Sequence, residues 1–364
     1  MKKFLARWQK MDWLLFFAVV ILLVFSCSIL YSLNLNIGSS DFLVFKKQLF
    51  FAVTGLVLYF AVAGINYNVW STYSKLIFIV SCLVLASVLI IGTTFRGTTG
   101  WLTVAGFNIQ PVEFAKLALI IWLAKFFSDH AREFQLFRYL FMSAFFSFIF
   151  IFLVLLQPDL GSAMVMFGTW VILILFTGVK RKYLWWMLTV FCLVAVLSWF
   201  FLLAPYQKAR ITTFFNPGSD PKHSGYNVIQ SMVAVGSGQV LGRGLALGSQ
   251  SSLRFLPEPG TDFIYAVIAE DLGFLGSAIF LLLFVFIFYR LFLIIRKSQD
   301  DFGSYLVLGL TSMLLVQLFI NVGMNMGISP VTGIPLPLVS AGGSSLWAVL
   351  MGLGMAQSVQ IRNS

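Results

Sequence analysis

Apolar runs of about 20 residues recur along the whole sequence, separated by short polar stretches. A run of this length matches a helix that crosses the ~30 Å hydrocarbon layer of a membrane. Lipid offers no hydrogen-bond partners, so a spanning backbone must form helices or a closed barrel, and only helices need runs this long. The chain is 60% hydrophobic and 10% charged. We therefore expect an all-α, polytopic integral membrane protein in which residues 1–364 form one domain.

About ten runs are expected to cross the membrane. The first is too long for the apolar core of a signal peptide and lacks a small-residue cleavage site, so we interpret it as a helix. One connection is long, from about 205 to 261, and the apolar periodicity of residues 226–234 predicts short interfacial helices within it. The predicted spans are residues 12–33, 44–64, 76–94, 110–127, 139–156, 159–178, 183–204, 262–290, 303–325 and 339–359.

The 24 Lys and Arg, which give the chain a net charge of +11, are distributed unevenly. Most of them fall at the termini and on alternate loops, and the positive-inside rule places those segments in the cytoplasm. Both termini are therefore expected in the cytoplasm and the long loop outside. This distribution accounts for the excess of basic over acidic residues, so no nucleic-acid partner is expected. The Cys lie within apolar runs and the His are isolated, so neither suggests a disulfide or metal framework.

Asp262 stands where a polar loop rich in proline and glycine turns into an apolar run. An ionisable side chain at the edge of a spanning segment costs several kcal/mol unless it is paired or hydrated, so it is a functional candidate by default. Glu270 lies about 12 Å further along a helix, which excludes two carboxylates that share one proton. Glu270 and Asp271 are expected to serve packing or pairing within the bundle.

Two further sites carry charge at the predicted outer ends of helices. Glu113 and Lys116 are three positions apart after Pro111, on one face of a helix start. They form either a structural ion pair or a phosphate site in which Glu113 holds Lys116, and intramembrane charges favour the second. Asp159, close to Gln157, is more simply explained as a helix N-cap, with substrate contact as the lesser alternative.

Glycine is frequent in the long loop, and a stretch near the C-terminus mixes glycine and proline with apolar residues. The loop glycines either let the backbone approach a polar headgroup or serve turns between interfacial helices. Residues 321–345 cannot form one continuous helix, and non-helical backbone at membrane depth must be buried by protein or line a cavity. This stretch is expected to wall the same cavity as Asp262, with a structural plug as the alternative.

With this topology, Asp262, Asp159, the Glu113–Lys116 pair and Arg210 of the long loop meet at the outer face. They offer a carboxylate to act as a base, cations for a diphosphate and apolar surroundings for a lipid tail. That combination suits chemistry on a lipid-linked phosphate. The carboxylates also admit a divalent cation, although hard cations take several oxygen ligands and the spacing here does not define such a site.

Five motifs occur in order along the chain: QPVEFAK (110–116), QPDLG (157–161), YQKARI (206–211), LPE (256–258) with TDFI (261–264), and GIPLP (333–337) with GGSS (342–345). They resemble the SEDS family (shape, elongation, division and sporulation), and the resemblance covers nearly the whole chain. Within that family the chain looks more like the rod-shape (RodA) branch than the division (FtsW) branch.

The resemblance implies a peptidoglycan glycosyltransferase that polymerises lipid II at the outer face of the bacterial cytoplasmic membrane. Undecaprenyl diphosphate would leave, and a class B penicillin-binding protein would be the transpeptidase partner. Asp262 matches the family's catalytic aspartate, which acts as the general base. The residues expected to bind substrate are Lys47, Glu113, Lys116, Gln157, Asp159 and Arg210.

Three positions depart from the family's usual residues. Val112 stands where serine is usual, Gly100 where an arginine precedes the tryptophan, and Ala341 where a tyrosine precedes the glycine pair. These changes affect headgroup contacts rather than the reaction. Two other functions stay open, namely a transporter that flips the lipid-linked precursor and a non-catalytic scaffold for a penicillin-binding protein. Polar residues gathered at one face favour the enzyme over a transporter, which should show repeated halves with paired broken helices.

Overall fold

Helices form almost all of the structure, which is a computed structural model. It describes residues 8–37, 42–95, 98–104, 106–130, 137–201, 205–216, 218, 224–253 and 255–363. The helices are α1 (Trp13–Ile37), α2 (Leu43–Gly64), α3 (Tyr67–Thr72), α4 (Ser74–Ile91), α5 (Pro111–Asp129), α6 (Phe137–Leu156), α7 (Leu160–Phe176), α8 (Arg181–Phe201), α9 (Pro205–Phe215), α10 (Ser224–Ser237), α11 (Ser249–Ser252), α12 (Ile264–Lys297), α13 (Asp301–Asn325) and α14 (Gly343–Asn363). The strands are β1 (Thr93–Phe95), β2 (Thr98–Val104) and β3 (Phe107–Ile109).

Every apolar run predicted to cross the membrane is helical over most of its length. Within the described residues, six helices are long and apolar enough to span a bilayer: α1, α2, α4, α6, α12 and α13. Large apolar side chains point outward from them, as Phe141, Phe145 and Phe152 do from α6. Such a surface is stable only against lipid. The all-α, multi-pass membrane fold expected from the sequence is confirmed.

Small residues let the central helices pack closely. A side chain on Gly309 of α13 would meet Ile120 of α5 at 2.6 Å, and one on Gly354 of α14 would meet the carbonyl oxygen of Tyr59 on α2 at 2.6 Å. Membrane helices have no hydrophobic force between them and rely on such close packing. The helices of the α5–α13 and α2–α14 pairs therefore pack closely against each other.

A small antiparallel sheet between α4 and α5 is absent from the sequence prediction. Its strand order is β1-β2-β3, with Thr93 opposite Trp101 and Leu102 opposite Ile109. The predicted span at about 76–94 corresponds to α4, which ends at Ile91, and the chain enters β1 at Thr93. Threonine and aromatic residues favour strands, and here they occupy the connection between α4 and α5.

The predicted span 262–290 corresponds to α12, which is not one continuous helix but two helices that meet at a break. Gly273 has φ 66° and ψ −165°, a conformation that no helix contains. Before the break, every residue from Ile264 to Asp271 is buried. After it, Phe274, Ile279 and Leu282 are exposed. The first segment is thus enclosed by protein, whereas the second is a lipid-facing span.

A turn from the long loop fills this break. The amides of Phe274 and Leu275 donate to the carbonyls of Gln239 and Val240, at 2.8 and 3.1 Å. On the other side of the break, the amides of Arg243 and Gly244 donate to the carbonyls of Glu270 and Asp271, at 3.0 and 2.9 Å. Helix ends leave backbone groups without intrahelical partners, and buried ones must be satisfied elsewhere. The turn supplies hydrogen-bond partners for the backbone groups on both sides of the break at Gly273.

The same docking decides between the two interpretations of the loop glycines for this part of the loop. A side chain on Gly238 would overlap the carbonyl of Ala269, and one on Gly242, which has φ 80°, would lie 2.2 Å from the carbonyl of Asp271. These glycines let the turn approach α12, not a headgroup. The expected helices within the loop are present as α9, α10 and α11.

Glu270 and Asp271 hold the loop in place, as the packing role predicted for them requires. The Glu270 carboxylate is fully buried and accepts hydrogen bonds from the amides of Gln250 and Ser251, at 2.7 and 3.0 Å. These two amides begin α11. Neither acid forms an ion pair among the described residues.

The bundle has two distinct ends. Asp262 marks one of them, which we name the Asp262 end. At the opposite end, Arg290 of α12 forms a bidentate pair with the buried Asp12 before α1, with Nη2–Oδ2 and Nε–Oδ2 distances of 2.7 and 2.9 Å. Nearby, the Tyr67 hydroxyl donates to Asp300, and burial together with this carboxylate raises the pKa of Tyr67.

Candidate active site

Asp262 lies just before the first turn of α12, and two amide side chains hold its backbone. Nδ2 of Asn321 and Nδ2 of Asn325 both donate to the Asp262 carbonyl oxygen, each at 3.1 Å. The carboxylate itself is partly exposed. Its Oδ2 lies 3.5 Å from the point where a side chain on Gly333 would begin, and Gly333 has φ 76°. The chain thus presents this carboxylate from a fixed backbone beside a residue with no side chain.

The two asparagines are also fixed. Oδ1 of Asn325 accepts from the amide of Ala266, at 3.2 Å, and from the hydroxyl of Ser231 on α10, at 3.3 Å. Nδ2 of Asn321 also donates to the carbonyl of Ile334, at 2.7 Å. Both asparagines are fully buried. No role was predicted for them, although two amides one helical turn apart at the end of an apolar span were a signal.

The non-helical stretch before α14 packs against the chain around Asp262. Oγ of Ser340 donates to the carbonyl of Thr261, at 2.6 Å, and accepts from the amide of Leu336, at 2.8 Å. The amide of Ala341 donates to the carbonyl of Gly260, at 2.8 Å. We name these contacts, with the two asparagines, the Asp262 platform. The platform fixes the main chain on both sides of Asp262.

Glu113 and Lys116 form the predicted ion pair in the first turns of α5. Their Oε1 and Nζ atoms are 2.8 Å apart, and each residue is only 2% exposed. A buried pair of this kind is stable only if both charges stay matched, since removal of one leaves the other without compensation. Lys116 donates one hydrogen bond to Glu113 and keeps two further donors for other acceptors.

Asp159 performs the N-cap role that the sequence favoured. Its Oδ1 accepts from the amide of Ser162 in the first turn of α7, at 2.9 Å. Its Oδ2 accepts from Nε2 of Gln110, at 3.3 Å, and the amide of Gln110 donates to Oγ of Ser344, at 3.0 Å. The start of α5 is therefore tied both to the Asp159 turn and to the start of α14, which follows the non-helical stretch that packs around Asp262.

The other predicted substrate-binding residues lie in different settings. Gln157 is buried and its side chain donates to the carbonyl of Leu85 on α4, at 2.9 Å, so it fastens helices together. Lys47 is exposed near the start of α2. Arg210 lies on α9, and its side chain is outside the described residues. Their contacts with substrate remain predictions.

The structure does not assemble a metal site from these acids. In the part of the chain that the structure describes, no group of three or more His, Cys, Asp and Glu side chains could hold a metal ion. Glu113 is paired with Lys116, and Asp159 caps α7. Hard divalent cations need several oxygen ligands, so we derive no step of the chemistry through a cation.

A buried charge pair, a capped turn and a rigidly held carboxylate meet at one end of an apolar helical bundle. These features define a polytopic membrane protein with a polar site at the end of its spans. The family model described as "Cell cycle protein", which groups FtsW, RodA and SpoVE, matches residues 9–364. The chain belongs to this family, as the five sequence motifs indicated.

Relatives from three branches of the family are similar to the chain. Stage V sporulation protein E of Bacillus subtilis is 39% identical over 95% of the chain and 94% of that protein. Peptidoglycan glycosyltransferase MrdB of Escherichia coli is 32% identical over 97% and 94%. A probable peptidoglycan glycosyltransferase FtsW of Aliivibrio salmonicida is 35% identical over 93% and 84%. These identities do not single out the rod-shape branch.

Solved structures share the fold. A chain in a structure described as "structural coordination of polymerization and crosslinking by a peptidoglycan synthase complex" has a TM-score of 0.80 and 29% identity, over 97% of this chain and 98% of that one. The crystal structure of the rod shape determining protein RodA of Thermus thermophilus has a TM-score of 0.71 and 26% identity, over 96% of each chain.

Proposed function

We propose that this protein is a peptidoglycan glycosyltransferase that polymerises lipid II, with Asp262 as the general base. The observation that carries the proposal is the Asp262 platform, in which Asn321, Asn325 and Ser340 fix the backbone around one partly exposed carboxylate. Relatives that the chain matches over 94% and 84% of their length are named peptidoglycan glycosyltransferase and probable peptidoglycan glycosyltransferase. A positioned carboxylate contributes roughly 10²–10⁴ in rate as a base.

In the proposed reaction, Asp262 takes the proton from the 4-hydroxyl of the acceptor sugar. The resulting oxygen nucleophile attacks the anomeric carbon of the donor and forms the new glycosidic bond. The bond between that carbon and the diphosphate breaks, and undecaprenyl diphosphate leaves with the electron pair. The proton stays on the Asp262 carboxylate until water removes it.

The leaving diphosphate needs cations, because a base alone supplies only part of the rate. Lys116 is assigned to this role, held by Glu113, since it keeps two donors beyond the ion pair. Arg210 and Lys47 are the further candidates for phosphate contact. Asp159 and Gln157 are assigned to substrate binding at the same end of the bundle. Asp159 connects to the start of α5 through Gln110.

We further propose that the Asp262 end faces outward across the bacterial cytoplasmic membrane and that both termini are cytoplasmic. The bias of Lys and Arg toward the termini and alternate loops supports this orientation. Residues 1–364 then form a single domain whose long loop, about 205–261, is extracytoplasmic.

A class B penicillin-binding protein is the proposed partner, because it would crosslink the strands that this enzyme makes. The support is the similarity to a chain from a peptidoglycan synthase complex that couples polymerisation with crosslinking. The long loop and the lipid-facing helices offer the surfaces for such a partner.

The test is polymerisation of lipid II by the purified protein together with its penicillin-binding protein. The wild type should make glycan strands, and Asp262→Asn should lower the rate by at least 10² while folding and partner binding are retained. Asp129→Asn, a change in an exposed acid at the opposite end, is the matched control and should keep full activity.

Other outcomes point to other functions. Strand synthesis at the normal rate by Asp262→Asn would refute the role of the base. Movement of the headgroup across vesicles without any polymer would indicate a transporter instead. Normal complex formation by a wild-type protein that makes no polymer under any condition would indicate a scaffold.

A further inference from the structure

A largely apolar groove runs along α1 and α2, on a different face of these helices from the Asp262 platform. Its volume is about 640 Å³, and Leu245 and Ala246 of the long loop contribute to its lining. Ligand sites commonly have volumes of roughly 300–1,000 Å³. The lining residues of α1 extend from Val20 to Leu35, about 22 Å along the helix axis. The groove is therefore longer than one hydrocarbon leaflet of about 15 Å is deep.

The groove and the platform share a wall. Nε2 of Gln48 on α2 donates to the carbonyl of Ser340, at 3.3 Å, and to Oγ of Ser26 on α1, at 3.1 Å. The hydroxyl of Ser26 donates to the carbonyl of Val339, at 2.6 Å. The next residues along each helix, Cys27 and Leu49, line the groove. One layer of helices thus separates the groove from the chain that fixes Asp262.

Polar groups occur toward the Asp262 end of the groove. Ser32 lines it, is only 4% exposed, and its hydroxyl has no hydrogen-bond partner among the described residues. Lys46 is exposed at the same end, seven positions before the lining residue Val53, so the two lie within about 20° around the α2 axis. Lys47 points about 100° away from Lys46. The groove therefore fits a long apolar chain that carries an anionic group at this end.

We propose that this groove binds the polyprenyl chain of the lipid-linked diphosphate, with Lys46 at its rim facing the diphosphate. The inference rests on the proposed function, because that function supplies a substrate of this chemistry. Small lining residues, Cys27, Ser28 and Ala52, leave room in the groove for the methyl branches of such a chain. The wall shared with the platform places the chain beside the site where its headgroup reacts.

Photocrosslinking tests this assignment without any turnover. The full-length Asp262→Asn protein is reconstituted in vesicles of phosphatidylethanolamine and phosphatidylglycerol with undecaprenyl diphosphate that carries a diazirine in its chain. Crosslinks are expected on the groove faces of α1 and α2. Excess unlabelled undecaprenyl diphosphate should remove most of them, whereas added phosphatidylglycerol should not.

A groove-filling variant tests the consequence for catalysis. In otherwise wild-type protein, Val53→Trp places an indole in the groove, and Val80→Trp, a matched change of an exposed valine on α4, does not. Val53→Trp should raise KM for lipid II about threefold to tenfold and leave kcat nearly unchanged, because it removes binding that is equal in the ground state and the transition state. Lys46→Ala should also raise KM. Val80→Trp should behave as wild type.

The outcomes separate this proposal from the proposed function. Crosslinks confined to other helices, or groove crosslinks removed equally by phosphatidylglycerol, would show that the groove holds ordinary lipid and would overturn the assignment. Normal polymerisation would stand in that case. Normal polymerisation by Asp262→Asn would instead refute the role of Asp262 as the base, and it would leave the crosslinking result intact. The crosslink map requires no groove substitution, so misfolding of Val53→Trp cannot obscure it.

Discussion

The side-chain amide of Asn325 donates a hydrogen bond to the main-chain carbonyl of Asp262, 63 positions away in sequence, at a distance of 3.1 Å. Asn321 donates to the same oxygen. Two buried amides from α13 therefore hold the residue that stands two positions before the start of α12. This arrangement fixes where the carboxylate of Asp262 can point without touching the carboxylate itself.

Replacement of these amides should disturb the position of the Asp262 carboxylate more than it weakens the binding of lipid II. Asn321→Ala should lower kcat about 10²-fold with little change in KM, because a displacement of about 1 Å at a catalytic group costs a factor of that size. It should also lower the free energy of unfolding by about 1–3 kcal/mol, since the carbonyl of Ile334 loses the donor Asn321 and the carbonyl of Asp262 keeps only Asn325. Lipid II polymerisation kinetics and thermal unfolding measure the two effects.

Gln317 provides the matched control, one turn earlier on the same helix. It is 1% exposed, and neither polar atom of its side chain has a partner among the described residues. Gln317→Leu should leave the kinetics unchanged and keep or raise stability, because an unsatisfied buried amide is removed. A loss of kcat in Gln317→Leu as large as that in Asn321→Ala would show that any polar loss on α13 has this effect.

The Glu113–Lys116 pair allows a structural role to be separated from a phosphate-binding role. Glu113→Gln and Lys116→Met alone should each destabilise the protein by about 3–5 kcal/mol, because each leaves a buried charge uncompensated. The double variant should recover most of that stability. If Lys116 contacts the diphosphate, polymerisation stays low in the double variant. Recovery of both stability and activity would restrict the pair to holding helices together.

Gly273 should tolerate no side chain. Gly273→Ala forces a φ of 66° on alanine and places its Cβ 2.2 Å from the amide nitrogen of Gly242. Strain and overpacking together should cost about 3 kcal/mol or more and lower the yield of folded protein. Gly236→Ala, a site with nothing within 4 Å, should be neutral or stabilise α10 slightly. Size-exclusion profiles and thermal unfolding in detergent distinguish the two.

The Arg290–Asp12 pair at the opposite end should matter for stability and not for chemistry. Arg290→Gln leaves Asp12, which is 5% exposed, without its cation, and should destabilise the protein by about 3–5 kcal/mol. Lys125→Gln breaks a pair that is exposed on both sides and should change stability very little. Equal decreases in Tm for the two substitutions would contradict the prediction that the buried pair stabilises the protein more than the exposed pair.

The sequence predicted those features that depend on neighbouring residues. Apolar runs located the helices, and Pro111 marked the start of α5. Asp159 was interpreted as a cap because it stands just before a predicted helix, and its partner in the structure, Ser162, is three residues away. The charged pair at Glu113 and Lys116 followed from helical spacing in the same way. Such signals are local, so a single chain displays them.

The features that the sequence did not predict depend on distant partners. Gly273 resembles an isolated helical glycine, and only the turn at 239–244 explains its conformation. Asn321 and Asn325 bond to a carbonyl 59 and 63 positions away. The small sheet was missed because its strands are short and lie between two strong helical signals. Tertiary contacts determine the break at Gly273, the role of the two asparagines and the small sheet. The spacing of residues along the chain does not indicate such contacts.

The break at Gly273 also separates two mechanical environments. A continuous helix would transmit any tilt of its lipid-facing part to its other end, so a thicker or thinner bilayer would move the carboxylate at that end. Here the part from Phe274 onward can follow the bilayer, while Ile264 to Asp271 is enclosed by protein and clamped by the inserted turn. The geometry around Asp262 is thereby insulated from the thickness of the membrane.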